Sequence, residues 1–132
     1  MTENKHKILL LEDYPDLIPF YRQRLSEAGF DVEVESDEAS GMKTALKNKP
    51  DLIILDISLP ETDDFYFIKQ AKKNLKIAKI PIVVLSDLSA PEEVKAGLAA
   101  GASEYFVRDD FTFTEVIDRI KEIIRKHGNM KA

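Results

Sequence analysis

The sequence has no cysteine. That excludes disulfide frameworks, thiolate metal sites and thiol nucleophiles. No apolar run approaches the length of a membrane-spanning helix, and the chain does not open on a charged-then-apolar leader. Basic residues are the minority, 19 Lys and Arg against 24 Asp and Glu, for a net charge of −5. A broad grip on nucleic acid needs a basic face, so no direct nucleic-acid contact is expected, although a local basic patch stays open. There is no glycine-lysine phosphate loop, no low-complexity segment and no repeat at solenoid period. What is present is a globular balance, 44% hydrophobic and 33% charged over 132 residues. A single domain of this length buries about two thirds of its unfolded surface. The expectation is one soluble, cytoplasmic domain spanning 1–132, with no membrane partner.

Short apolar runs alternate with amphipathic stretches. Ile8 to Leu11, Leu52 to Leu55, Pro81 to Leu85 and Tyr105 to Val107 are compact and end on polar residues. Unbroken runs suit strands covered on both faces. Phe30 to Val34 alternates and suits an edge strand. Between the runs the period is helical. Leu17, Tyr21, Leu25 and Ala28 mark one helix stopped by Gly29, with Asp13 as N-cap and Pro19 delaying or bending its start. Ala39, Met42 and Leu46 mark a second, halted before Pro50. Phe65, Ile68, Ala71 and Leu75 mark a third. Ser89 to Glu92 reads as a capping box opening a fourth helix through Val94 and Leu98 to Gly101. Thr112 to Glu115 reads as another, opening a helix with Phe113, Val116, Ile117, Ile120, Ile123 and Ile124 on one face and a frayed tail from Gly128. The order is β-α repeated about five times, an α/β doubly wound parallel sheet.

Ligands of such sheets bind beyond the carboxyl ends of the strands. Along the chain those positions hold Glu12 and Asp13, then Asp56, then Ser86, then Arg108. If the first and third strands are neighbours, three carboxylates share one crevice and raise each other's pKa values. A hard divalent cation removes that conflict, and oxygen-only ligands suit Mg²⁺ best. A hydroxyl and a guanidinium on adjacent strand ends can hold phosphoryl oxygens, and one carboxylate can be the nucleophile.

These residues resemble the receiver domain of two-component response regulators. The resemblance spans about Lys7 to Lys126. It is carried by Leu10-Leu11-Glu12-Asp13, the run Asp51 to Pro60, Leu85-Ser86 and Gly101 to Tyr105. It implies a flavodoxin-like (βα)5 sandwich with strand order 2-1-3-4-5. It implies Asp56 as phosphoacceptor, with Ser86 and Arg108 completing the catalytic set. Mg²⁺ would sit on Asp13, Asp56 and the Ser58 carbonyl, with Glu12 acting through water. Ser86 would be the switch hydroxyl and Tyr105 the aromatic that swings between exposed and buried. The implied partners are a histidine kinase or phosphotransfer protein, and a downstream protein met by the fourth helix, fifth strand and fifth helix. The chain would be a monomer or weak homodimer, acting by docking as a stand-alone regulator or phosphorelay shuttle, or as a piece of a longer chain. It would be no enzyme beyond its own phosphotransfer and dephosphorylation.

The departures matter too. Arg108 stands where the family has lysine, Asp109 where it has a proline usually preceded by a cis peptide, Asp87 where it has a small residue, and Asp64 where glycine is common. A non-proline cis bond costs about 3–4 kcal/mol, so a trans Arg108–Asp109 bond and a rerouted loop are expected. At an effective dielectric of about 20, each negative charge about 6 Å away opposes an incoming phosphate by roughly 3 kcal/mol before screening. Slow phosphorylation or a short-lived product is therefore expected. Plainer readings stand beside these. Asp13 and Asp56 could cap helices, Arg108 could pair with Asp87, Asp109 or Asp110, and Tyr105 could fill the core. Glu61, Asp63 and Asp64 read as a solvated loop, and His6 and His127 carry no catalytic role. The alternative function is a phosphorylation-independent pseudo-receiver, a protein-interaction module. A flavin carrier on this architecture ranks lower, because Glu12 to Asp16 repels phosphate without a metal, and so does an aspartyl phosphatase, which wants aspartates two apart where Asp13 and Asp16 stand three apart.

Overall fold

The computed structural model describes residues 5–57, 65–87 and 89–131, with the backbone alone at 57 and 128–131. Five strands, β1 (Lys7–Leu11), β2 (Asp31–Glu35), β3 (Leu52–Ile57), β4 (Ile82–Ser86) and β5 (Glu104–Val107), pair in parallel in the order β2-β1-β3-β4-β5. Five helices alternate with them: α1 (Leu17–Glu27), α2 (Glu38–Asn48), α3 (Tyr66–Lys73), α4 (Pro91–Ala100) and α5 (Phe113–Lys131). A 3-10 turn at Arg108–Asp110 follows β5. This is the flavodoxin-like order expected above.

The apolar runs are buried because both sheet faces are covered. Successive strand residues point to opposite faces. Ile8, Leu10, Leu52, Ile54, Val83 and Leu85 pack with Tyr21 and Leu25 of α1 and with Val116, Ile117, Ile120 and Ile124 of α5. Leu9, Leu11, Ile53, Leu55, Ile82 and Val84 pack with Ala45 of α2 and with Phe67, Ile68 and Ala71 of α3. Each such leucine or isoleucine contributes about 1.5–3 kcal/mol relative to exposure. β2 pairs only with β1, and its Asp31 and Glu33 face solvent, as an edge strand allows.

Several local expectations are corrected. Asp13 is not the N-cap of α1. Asp16 takes that position in αR geometry without a side-chain cap bond, and the Leu17 and Ile18 amides donate to the Tyr14 carbonyl. The start is indeed late. It places Pro19 in the first turn, where an amide proton has no intrahelical acceptor to lose. Gly29 ends α1 with φ +99, a conformation that costs a residue with a Cβ. The box read at Ser89 to Glu92 does not form, because Ala90 is the N-cap, without a side-chain cap bond, and Pro91 opens the helix. The box at Thr112 does form: the Thr112 amide donates to Glu115 Oε1 at 2.8 Å and the Glu115 amide to Thr112 Oγ1 at 3.1 Å. Leu75 falls beyond α3 and is 95% exposed, and Leu98 lies on the outer side of α4. The backbone of α5 is helical through Lys131, across the tail from Gly128 expected to fray.

Candidate functional site

Parallel register builds the site. Leu11 stands opposite Leu55, so the next residues, Glu12 just beyond β1 and Asp56 in the last pairs of β3, come side by side. Ile57 pairs with Ser86, and Ser86 with Val107. One step further on, Asp87 and Arg108 leave together. Four strands thus deliver their first polar residues to one rim, although these positions are far apart in the chain.

Burial then separates the carboxylates. Glu12 is 2% exposed, whereas its neighbour Asp13 is exposed on the rim. The Asp56 carboxylate is fully buried, and so is Ser86. Burial, then the facing Asp56 carboxylate, pushes the Glu12 carboxyl from 4.5 up to about 8. Its Oε2 accepts from the Tyr14 amide at 3.4 Å, while Oε1 has no donor of its own. Two carboxylates cannot hydrogen bond unless one carries a proton, and a protonated Glu12 can donate to Asp56.

Arg108 binds the centre of this cluster. Its Nη2 donates to Asp56 Oδ1 at 2.5 Å and its Nη1 to Asp56 Oδ2 at 3.0 Å, a bidentate fork. Its Nε donates to Asp87 Oδ1 at 2.9 Å, and Nη1 also donates to the Tyr21 hydroxyl. Burial disfavours the guanidinium charge, but the hydrogen bond and charge of Asp56, with Tyr21 and Asp87, outweigh it and hold its pKa above the ordinary value. Burial, then the charge of Asp56, pushes the Tyr21 phenol up to about 12. Of the partners open to Arg108 in the sequence, the structure chooses Asp87 and adds Asp56. The negative charge of Asp87 therefore meets a guanidinium. No cis peptide bond occurs among the described residues, and the chain enters the 3-10 turn directly at Arg108.

Glu12, Asp56, Ser86 and Arg108 come from the ends of four different strands, with Asp13 at the outer edge. Ser58, Glu61, Asp63 and Asp64 lie outside the described residues. Among the described residues no group of three or more His, Asp or Glu stands in a metal-holding arrangement. The donor chemistry nonetheless fits a hard cation. It consists of oxygens alone, including a buried Glu12 Oε1 without a donor, set against a second carboxylate. Tyr105 is half-buried, its ring edge-on to Phe65 with centroids 6.4 Å apart. A Cβ at Gly97 of α4 would come within 2.8 Å of Tyr105 Cδ2 and 3.2 Å of Phe65 Cε1. His6 pairs with Asp51 near the start of the sheet, away from this rim.

The residue that sequence reasoning missed is Tyr21. Its helical spacing reads as core, and its ring is core. The available signal was its hydroxyl, since a buried tyrosine oxygen needs a partner.

The family model for the response regulator receiver domain matches residues 8–121. The chain is 37% identical over 122 residues to the transcriptional regulatory protein HprR of Escherichia coli, covering 92% of this chain and 52% of that one. It is 32% identical over 125 residues to the transcriptional regulatory protein PrrA of Mycobacterium tuberculosis, covering 93% and 52%. The chain thus spans about half the length of these curated relatives. Among solved structures, the BeF3-activated N-terminal receiver domain of Klebsiella pneumoniae RstA superposes with TM-score 0.80 at 26% identity, covering 91% of this chain and 99% of that one. With the strand order, the rim of acidic residues and these matches in agreement, the chain belongs to the response regulator receiver domain family.

Proposed function

We propose that the chain is a single receiver domain, core about 7–126, that accepts a phosphoryl group on Asp56. The observation that carries this reading is the buried Asp56 carboxylate at the end of β3, flanked by Glu12, with the Arg108 fork on both its oxygens. One Asp56 oxygen attacks the phosphorus of a partner's phosphohistidine. The P–N bond breaks, an acyl phosphate forms, and the leaving imidazole nitrogen takes a proton. Arg108 has the planar donors to hold phosphoryl oxygens once it turns from the carboxylate to the new group. Ser86, at the neighbouring strand end, offers a hydroxyl to the same oxygens. Glu12, Asp13 and Asp56, with the Ser58 carbonyl, are the groups that would hold Mg²⁺. When bound, that ion would neutralise the crowded carboxylates and the phosphoryl oxygens.

In this reading the donor is a histidine kinase or phosphotransfer protein. Output is docking of a downstream protein on the α4, β5 and α5 face, with Ser86 and Tyr105 reporting the phosphorylated state. The chain acts in the cytoplasm as a monomer or weak homodimer, and its chemistry is limited to its own phosphotransfer and dephosphorylation. Among the described residues no helix is long and apolar enough to cross a membrane. The expected absence of nucleic-acid contact has no support in the matched relatives, which are named as transcriptional regulatory proteins and of which this chain covers about half.

Mass spectrometry after treatment with a small phosphodonor and Mg²⁺ tests the proposal. A phosphoryl group on Asp56, absent from Asp56→Asn, is expected, and an unlabelled wild type overturns it. The second reading, a pseudo-receiver, draws on the same fork, since Arg108 already takes both oxygens of the acceptor. If neither Mg²⁺ nor beryllofluoride perturbs the wild type more than Asp56→Asn, that reading prevails.

A further inference from the structure

The Arg108 guanidinium that grips Asp56 has two further partners outside the acceptor site. A guanidinium is planar, so fixing its third nitrogen and one edge fixes where the other edge points. Asp87 takes Nε at 2.9 Å, and the Tyr21 hydroxyl takes Nη1 on the side shared with Asp56. These anchors come from separate elements, the end of β4 and the middle of α1. They also differ in stiffness. Tyr21 is 4% exposed, and its ring is wedged between Phe20 and Phe113, with centroids 5.5 and 4.9 Å away. The Asp87 side chain is 55% exposed.

Resting on the reading of Asp56 as phosphoacceptor, we propose that Tyr21 and Asp87 are positioning residues that hold the Arg108 fork across both Asp56 oxygens as a latch. An incoming cation or phosphoryl group must displace that fork. The buried tyrosine is the fixed stop that sets its resting position. The solvent-facing aspartate is the tether that keeps a partner on Nε after the fork has left Asp56. The pair thereby sets how readily the acceptor is opened, without touching the phosphoryl group.

The test uses Tyr21→Phe, which keeps the packed ring, and Asp87→Ala, which removes the acceptor of Nε at a solvent-facing position. Nitrogen-resolved NMR of the Arg108 guanidinium reads the latch without any phosphate. Restricted, separately resolved terminal nitrogens are expected in the wild type, with averaging in both variants. Labelling by a small phosphodonor with Mg²⁺ is expected to speed up about three- to tenfold in each variant, the effect of losing one hydrogen bond. A freely rotating guanidinium in the wild type, unchanged signals in both variants, or slower labelling overturns the latch. If no form takes label, the phosphoacceptor reading fails, and the guanidinium signals still decide whether Tyr21 and Asp87 position Arg108.

Discussion

Two arginines, Arg108 and Arg119, use the same chemistry in different surroundings. Arg119, on α5, donates through Nε and Nη2 to Glu104 Oε1 at 3.1 and 2.9 Å, and its Nη1 lies 3.1 Å from Glu122, which also pairs with Lys126. That chain of charges lies on the surface, with Arg119 41% exposed. Arg108 is 23% exposed and grips a carboxylate that is fully buried. Water can replace the partners of Arg119 but not those of Asp56. A surface pair of this kind contributes about 0–1 kcal/mol. Removing one member of a buried pair costs several times more, because the other charge is stranded. The comparison teaches that ion pairs of the same chemistry serve different ends. One ties α5 to β5 at the surface, and the other neutralises a buried carboxylate.

The largest expected effect follows from stranding Asp56. Arg108→Ala should destabilise the fold by about 2–3 kcal/mol in chemical denaturation, a value discounted for the partial exposure of the arginine. The loss should change little with added salt. Next comes Glu12, whose proton is part of the same balance. Its folded value of about 8 lies above the unfolded 4.5, so between them the folded chain holds a proton that the unfolded chain has released. Stability from this source is complete below 4.5, falls as pH rises through the window and is gone above about 8. Denaturation across that range should show the decline in the wild type and a flatter profile in Glu12→Gln. An uncharged control sharpens the contrast: Thr112→Ala removes the cap of α5 and should cost about 1 kcal/mol at every pH. Arg119→Ala should do least, a loss under about 1 kcal/mol that shrinks further in high salt. A salt-insensitive Arg119 or a salt-sensitive Arg108 would erase the distinction.

Legibility in the sequence followed the range of the interaction. The strands were readable because being covered on both faces leaves an unbroken apolar run, as in Leu52 to Leu55. The cap at Thr112 was readable because both of its bonds span three residues. At Ser89 the same local pattern failed, because Pro91 took the first helical position and left Ala90 as the cap. Leu75 misled because helical spacing cannot tell where the helix stops. At the site, the acidic rim could be located from where the runs end, once β1 and β3 were taken as neighbours. The partners of Arg108 could not be resolved that far. Asp87 was one of several equal choices, and Tyr21 lies in a helix 87 residues away, joined to Arg108 only by the folded packing.

The missing side chain at position 97 has its own consequence. With only hydrogen there, α4 can rest against the flat rings of Tyr105 and Phe65. A single methyl group at that point acts as a spacer. Alanine at 97 would pry the helix off β5 or drive the tyrosine outward, making one carbon atom a mechanical handle on how α4 seats against the sheet.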